Sequence, residues 1–280
     1  MILQTFNRPL SLSRPLVMGI LNVTPDSFSD GRSFETLDAA VARAEAMAAE
    51  GADIIDVGGE STRPGSVRVS EKDEIGRVVP IIERIAGRMN VPISIDTSKV
   101  GVARAAVRAG AEIINDISGL RWDAGIANIA AETGAGLILM HSRGEFETLH
   151  SQEPVEDIFA EVGRDLCRAL QASAAAGVKN EQIALDVGIG FGKTLKQNLE
   201  LIANLDRLVD EFSAFPILVG ASRKSFIGKI LNDIPEKERL HGSLACAVLA
   251  VWNGAKMIRV HDVRETVQAV AIAEAAKRER

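Results

Sequence analysis

The length and composition of the chain are those of an ordinary globular enzyme. Its 280 residues suffice for one α/β barrel, which typically takes ~250, and 46% hydrophobic with 25% charged residues is a typical soluble composition. The net charge of −6 argues against nucleic acid or a membrane surface as a partner, and no apolar run approaches the ~20 residues of a membrane span.

Two further features bear on the compartment. The first residues lack the basic-then-apolar layout of a secretory signal. Cys167 and Cys246 both lie in apolar segments with helical spacing, so we expect two buried free thiols in a reducing environment. Together these features predict a cytoplasmic protein.

The predicted elements alternate regularly along the chain. Residues 1–15 contain Pro9 and Pro15 and are predicted to be irregular. Eight continuous apolar runs are predicted to be strands, at residues 16–21, 54–55, 92–95, 112–114, 136–140, 182–185, 216–220 and 256–258. Segments with helical spacing of apolar residues follow them, at residues 37–48, 71–89, 99–109, 123–133, 155–175, 195–205, 240–251 and 263–277.

The repeated strand–loop–helix unit predicts the architecture. The strands are apolar throughout rather than alternating, which is typical of parallel strands covered by helices. Eight such units in a chain of this length favour an α/β fold of the (β/α)8 TIM barrel type, a single domain over residues 1–280, with a doubly wound sheet as the alternative. No linker, low-complexity tract or charge block divides the chain.

A polar residue ends strand after strand. These residues are Asn22, Asp56, Asp96, Asn115, His141, Asp186, Ser222, Arg259 and His261. Any one of them alone could be a turn or capping residue. In a barrel, however, all the strand ends converge on one face, where active sites are built. The joint pattern therefore predicts a site.

The charges are divided unevenly around this face. The third to sixth units supply Asp96, Asn115 and Asp186, whose oxygens suit a ligand rich in N–H donors. The last two units supply mainly basic or hydroxyl groups, at the loops where many barrels bind phosphate: Ser222, Arg223, Lys224, Arg259 and His261. The residues alone thus predict a substrate with a donor-rich head and a phosphate-type tail.

Several familiar motifs are absent. The segment ending Gly192-Lys193-Thr194 is not a P-loop, because Val187 stands where its first glycine belongs. There is no H-E-x-x-H and no C-x-x-C. Four residues are interpreted as packing or surface residues without a functional role: His150, His241, Trp122 and Trp252.

Seven stretches together resemble the dihydropteroate synthase family, within the pterin-binding barrels. They are MGILNVTPDSFSDG at 18–31, GGESTRPG at 58–65, IDTSK at 95–99, IND at 114–116, GIGFGK at 188–193, SRKS at 222–225 and RVHD at 259–262. The resemblance covers nearly the whole chain. It implies condensation of 7,8-dihydropterin-6-ylmethyl diphosphate with 4-aminobenzoate, Mg²⁺ as cofactor, a homodimer and a target for sulfonamides.

The resemblance also implies roles for individual residues. Asp96, Asn115 and Asp186 would bind the pterin ring, with Lys224 and Arg259 against it. Arg259 and His261 would hold the diphosphate, helped by Thr62, Arg63 and by Asn22 through Mg²⁺. The aminobenzoate pocket would be lined by Phe28, Arg63, Pro64, Ser222 and Lys224.

The implied chemistry needs no enzymic nucleophile. Positive charge develops on the methylene carbon as diphosphate leaves, so carboxylates fixed beforehand stabilise the transition state. Asp96, Asp186 and Asp56 are the predicted catalytic carboxylates, together with Lys224.

Three alternatives stay open at this point. A methyltransferase that uses methyltetrahydrofolate shares the pterin-binding barrel, but would not be expected to carry the loop at 61–65 or the basic set of the last two units. A catalytically silent pterin-binding paralogue would normally have lost Asp96, Lys224 or Arg259. A barrel aldolase or metal hydrolase would need a Schiff-base lysine context or a histidine pair, neither of which the sequence offers.

Overall fold

The chain begins with a small hairpin that the sequence did not predict. The structure, a computed structural model, describes residues 1–23 and 34–279. Strands β1 (Ile2–Gln4) and β2 (Pro9–Ser11) pair antiparallel, so the expectation of an irregular N-terminus is wrong. Three residues are too few to show a strand period, and Pro9 is tolerated because it begins an edge strand.

Eight parallel strands close into a barrel. They are β3 (Leu16–Asn22), β4 (Ile54–Gly58), β5 (Ile93–Asp96), β6 (Ile113–Asp116), β7 (Gly136–Met140), β8 (Ile183–Asp186), β9 (Ile217–Val219) and β10 (Met257–Val260). Each pairs with its neighbour in the sequence, and β10 pairs with β3 to complete the ring. The predicted barrel is confirmed and the doubly wound alternative is wrong.

Helices cover the outside of the barrel. They are α1 (Phe34–Ala49), α2 (Glu71–Ile85), α3 (Val100–Ala109), α4 (Gly125–Thr133), α5 (Ile158–Ala175), α6 (Leu195–Ala203), α7 (Asp206–Glu211), α8 (Ser225–Ile230), α9 (Leu240–Trp252) and α10 (Val263–Arg278). The predicted helix at 195–205 is α6, which ends at Ala203, and neither α7 nor α8 was predicted. Both short helices have six residues, too few for a helical period to stand out. None of the described helices combines the length and apolar character that a membrane crossing requires.

Two apolar layers explain why the strands are apolar on both faces. The larger lies between the strands and the helices. The smaller fills the barrel interior and consists of Leu3, Leu12, Leu16, Met18, Ile54, Ile113, Ile138, Ala184, Leu218 and Met257. Leu3 and Leu12, from the N-terminal segment, close the end of the barrel where the strands begin. The opposite end therefore remains for a site.

The two cysteines differ in exposure. Cys246 on α9 is buried, as expected, but Cys167 on α5 is exposed, so the expectation of two buried thiols is wrong. Helix α5 buries Val162, Leu166 and Ala169 against the barrel, and Cys167 lies just outside that stripe.

Candidate active site

Strand alternation carries a set of polar side chains into the mouth of the barrel. Ile54, Ile113, Ala184 and Met257 fill the interior, and each is followed two residues later by a polar residue. Since side chains two apart on a strand share a face, the polar residues lie above this apolar layer. They are Asp56, Asn115, Asp186 and Arg259.

Arg259 is the centre of this set. Its Nε donates to Asp56 Oδ2 and its Nη2 to Asp96 Oδ2, each at 2.6 Å. Asn115 Nδ2 donates to the same Asp56 oxygen at 3.2 Å, and the other oxygen of that buried carboxylate, Oδ1, has no hydrogen-bond partner among the described residues. One guanidinium thus pairs with two carboxylates, and Asp56 Oδ1 can still accept a hydrogen bond.

Burial makes Asp96 and Asp186 harder to ionise. It raises the pKa of Asp96 to about 7, although the Arg259 charge opposes the shift. Burial also raises the pKa of Asp186, whose Oδ1 accepts a hydrogen bond from the Gly188 amide at 2.7 Å. The barrel mouth therefore holds acidic groups that a cationic or N–H-rich ligand would stabilise.

Lys224 lies beside the carboxylates and against an aromatic ring. Its Nζ is 3.8 Å from the ring centroid of Phe191, a cation–π distance. Burial and the neighbouring Arg259 lower the pKa of Lys224 to about 8. Gly190 permits the contact, because a Cβ there would lie 3.1 Å from Lys224 Cδ. Sequence reasoning did not assign Phe191 a role; its place between two glycines of the GIGFGK stretch was the available signal.

Ser222 and His261 form a hydrogen-bonded pair. Ser222 Oγ accepts from the backbone N–H of His261 at 3.2 Å and lies 3.0 Å from its Nδ1. A hydroxyl has one hydrogen and two lone pairs, so Ser222 Oγ can donate to Nδ1, which leaves the ring hydrogen on Nε2, or accept from Nδ1–H. Burial and four nearby cations lower the pKa of His261 to about 3, so the imidazole is neutral and presents an N–H.

Arg223 does not join the group. It forms a two-point ion pair with Asp262, at 3.0 Å from Nε to Oδ2 and 2.5 Å from Nη2 to Oδ1. Arg223 belongs to the predicted basic and hydroxyl set. Its ion pair with Asp262, however, connects the turn after β9 to the turn after β10.

Asn22 lies at the same level of the barrel as Asp96. Asn22 pairs in register with Gly58, and Gly58 with Asp96. A Cβ on Gly58 would lie 3.6 Å from both Asn22 Oδ1 and Asp96 Oδ2, so the glycine leaves space between these oxygens. Oxygen donors of this kind suit Mg²⁺, which uses few protein ligands and keeps water and phosphate oxygens. The predicted ligand Asn22 therefore fits the ion.

The loop at residues 59–70 reaches the mouth from β4. Arg63 Nη2 pairs with Glu236 Oε1 at 2.8 Å, and the carbonyl of Thr62 accepts a hydrogen bond from His150 Nε2 at 2.7 Å. Pro64 is exposed next to them. Phe28, the remaining predicted member of the aminobenzoate pocket, lies outside the described residues.

His141 faces away from the barrel interior. It lies one residue beyond Met140, whose side chain faces inward, and its Nε2 is 3.7 Å from Asp165 of α5. Lys193 Nζ contacts its Nδ1 at 2.8 Å and donates to the Gly188 carbonyl at 2.7 Å. His141 and Lys193 thus fix the loop after β8 rather than contact a substrate.

His141, Glu161 and Asp165 lie close enough to share an ion. Glu161, however, already pairs with Arg164 and approaches Arg143 at 3.6 Å. A divalent cation would meet these charges in the same space, so we assign no metal to this cluster.

Comparison with known proteins identifies relatives of the whole chain. Residues 18–261 match the family described as pterin binding enzyme. Dihydropteroate synthase of Escherichia coli strain K12 is 52% identical over 268 residues, which cover 95% of this chain and 93% of that protein. The structure of Yersinia pestis dihydropteroate synthase in a sulfonamide drug complex is similar with a TM-score of 0.92 and 46% identity over 100% of both chains. That of the Xanthomonas albilineans enzyme with 4-aminobenzoic acid has a TM-score of 0.91 and 42% identity over 99% of both.

Proposed function

Since the chain belongs to the family of pterin-binding enzymes, we infer that it is a transferase of folate biosynthesis that makes 7,8-dihydropteroate. It condenses 7,8-dihydropterin-6-ylmethyl diphosphate with 4-aminobenzoate and releases pyrophosphate. The observation that carries this function is the single guanidinium of Arg259 shared by the buried Asp56 and the partly buried Asp96. The residue roles below are our proposal.

The pterin ring binds at the carboxylates. Asp96, Asn115 and Asp186 accept its ring N–H groups through their side-chain oxygens. Lys224 and Arg259 lie against the ring. Asp56, fully buried beneath Arg259 and Asn115, holds both of these side chains in place.

The carbon–oxygen bond to the diphosphate breaks first, and its electron pair leaves with the diphosphate. Positive charge then spreads from the methylene carbon into the conjugated ring. Asp96, Asp186 and the more distant Asp56 stabilise that charge because their positions are fixed before the reaction starts. The nitrogen of 4-aminobenzoate attacks the carbon and loses a proton to give the product.

The leaving group binds on the opposite side of Arg259. Arg259 and the neutral His261, which donates through Nε2, hold the diphosphate, and Thr62 and Arg63 assist from the loop above. Mg²⁺, held by Asn22, supplies charge neutralisation to the phosphate oxygens when bound. Arg63 is exposed in its ion pair with the half-buried Glu236, so its guanidinium is able to turn toward an anion.

The aminobenzoate pocket forms where the loop at 59–70 meets the basic turn after β9. Phe28, Arg63, Pro64, Ser222 and Lys224 line it, and closure of the loops excludes water that would otherwise capture the cation. Sulfonamides would compete for the same pocket.

A homodimer in the cytoplasm is part of the same proposal. Helices α6 and α9 lie side by side, joined by a 2.8 Å hydrogen bond from Asn253 Nδ2 to the Ile202 carbonyl. Leu199 on α6 and Leu249 on α9 are 42% and 49% exposed. This outward apolar surface is typical of an interface, and a second copy of the chain is the proposed occupant. Light scattering should give a dimer that Leu249→Glu weakens; a wild-type monomer contradicts this.

The first experiment measures pyrophosphate release and dihydropteroate formation by purified protein with both substrates and Mg²⁺, beside the Asp96→Asn variant. Coupled formation of both products, strongly reduced in the variant, supports the function and the role of Asp96. Binding of the pterin diphosphate without any product favours the silent paralogue. Methyl transfer from methyltetrahydrofolate without pyrophosphate release favours the methyltransferase.

A further inference from the structure

His150, interpreted from the sequence as a loop residue without a role, contacts the loop at residues 59–70. It lies in the segment between β7 and α5, 88 residues from its partner. Its Nε2 is 2.7 Å from the carbonyl oxygen of Thr62. Thr62 directly precedes Arg63 and Pro64 in the loop that borders the barrel mouth.

The chemistry of the contact fixes the donor. A carbonyl oxygen only accepts, so His150 Nε2 must carry the hydrogen. Both the neutral Nε2–H tautomer and the protonated ring meet that requirement.

The same ring also lies against the residues that support the pterin side of the mouth. The His150 and Phe191 ring centroids are 6.1 Å apart with the planes inclined by 31°. Phe191 in turn lies under the ammonium of Lys224. His150 thus stands between the loop at 59–70 and the Phe191–Lys224 pair.

Other contacts fasten the two ends of the loop but not its centre. Glu60 Oε1 accepts both the Val69 amide at 2.6 Å and Lys99 Nζ at 2.7 Å, which closes the base of the loop. Arg68 lies over the rings of Trp122 and Phe146, at 5.6 and 5.8 Å from their centroids. Between these anchors, the described contacts to distant segments are those of His150 with Thr62 and of Arg63 with Glu236.

We propose that His150 is a positioning residue that holds the loop at 59–70 over the barrel mouth and so forms the aminobenzoate pocket. The proposal rests on the function inferred above for the residues of that loop. Arg63 must be free to leave Glu236 for an anionic ligand, whereas the His150 bond uses a main-chain carbonyl and remains while the Arg63 side chain moves. Hydrogen bonds of this kind change an equilibrium by about 2- to 10-fold.

The kinetic test uses three substitutions at His150 and one matched control. His150→Ala should raise the KM for 4-aminobenzoate roughly 3- to 10-fold, with smaller changes in kcat and in the KM for the pterin diphosphate. His150→Gln, which keeps an N–H donor, should recover much of this loss, and His150→Phe, which keeps only the ring, should not. His241→Ala, at an exposed histidine at the start of α9, should resemble the wild type.

Hydrogen exchange of the unliganded protein supplies a readout that does not depend on catalysis. His150→Ala and His150→Phe should speed exchange of amides in residues 60–69 and leave those of the N-terminal hairpin unchanged. Unchanged exchange in that loop overturns the proposal, and so does an equal KM increase in the Ala and Gln variants. If the wild type makes no product, the proposed function fails, while exchange still decides whether His150 holds the loop.

Discussion

The two ends of the barrel differ in how completely their buried polar groups are hydrogen-bonded. At the end where the strands begin, Glu112 is buried with both oxygens paired: Thr5 Oγ1 donates to one at 2.7 Å, and Arg8 Nη2 approaches the other at 2.9 Å. Leu3 and Leu12 belong to the apolar cluster that fills the barrel interior. At the end where the strands finish, Asp56 Oδ1 has no hydrogen-bond partner in the described part of the chain, and burial raises the pKa of Asp96.

The two ends of the barrel therefore have different roles. The end where the strands begin stabilises the fold, and the end where they finish carries the candidate site. Paired polar groups over an apolar layer stabilise the fold without a ligand. Carboxylates that lack partners cost stability in the free protein and recover it when a substrate donates hydrogen bonds or positive charge. Substitutions at the first end should therefore change the free energy of unfolding, and those at the second should change the rate.

The largest effect is expected at Arg259. Arg259→Met removes the cation shared by Asp56 and Asp96 and one of the groups proposed to bind diphosphate, so kcat/KM should fall roughly 10³-fold or more. The matched control is Arg14→Met at the other end, where Arg14 pairs with Asp53. Steady-state kinetics should show that control within a few-fold of wild type. Similar losses in both variants would contradict the division between the ends.

The next effect is on stability. Leu3→Ala leaves a cavity beneath the barrel and should lower the free energy of unfolding by about 2–5 kcal/mol. Leu3 is fully buried and far from the strand ends that carry the site, so kcat at a temperature where the variant is folded should change little. Denaturant titration and kinetics on the same preparation test this; a large fall in kcat with unchanged stability would reverse the assignment.

A smaller effect is expected in the pH dependence of the reaction rate. In the proposed mechanism Asp96 must be ionised to accept from the pterin ring and to stabilise positive charge, and burial raises its pKa to about 7. The kcat/KM for the pterin diphosphate should therefore fall as the pH decreases through about 7. Asp96→Asn should lower kcat roughly 10²-fold and remove this acid limb. An acid limb that survives in the variant belongs to another group.

The last effect is on the pH dependence of the unfolding free energy. The folded pKa of Asp96 is raised above its unfolded value, so the folded state binds the proton more tightly and Asp96 favours folding most at low pH. The unfolding free energy of wild type minus that of Asp96→Asn should decrease from about pH 4 to about pH 7 and then level off. Denaturant titrations across this range measure it. An increase instead would mean that Arg259 stabilises the carboxylate more than burial destabilises it.

The sequence by itself determined the barrel and most of the candidate set. Few folds other than a barrel are compatible with eight apolar runs that each end in a polar residue. The sequence also places four of the site residues at predicted strand ends: Asp56, Asp96, Asn115 and Arg259. The short hairpin and the six-residue helix α8 were missed because a local period needs more residues than they have.

Only the tertiary structure decided which strand-end residues share the site. Both faces of a barrel strand are buried and apolar, so no alternation in the sequence shows that Asn115 faces inward and His141 outward. The contacts that define the site also join distant segments: Arg259 is 203 residues from Asp56, and His150 is 88 from Thr62. Such pairs depend on the register and closure of all eight strands, which no local stretch of sequence specifies.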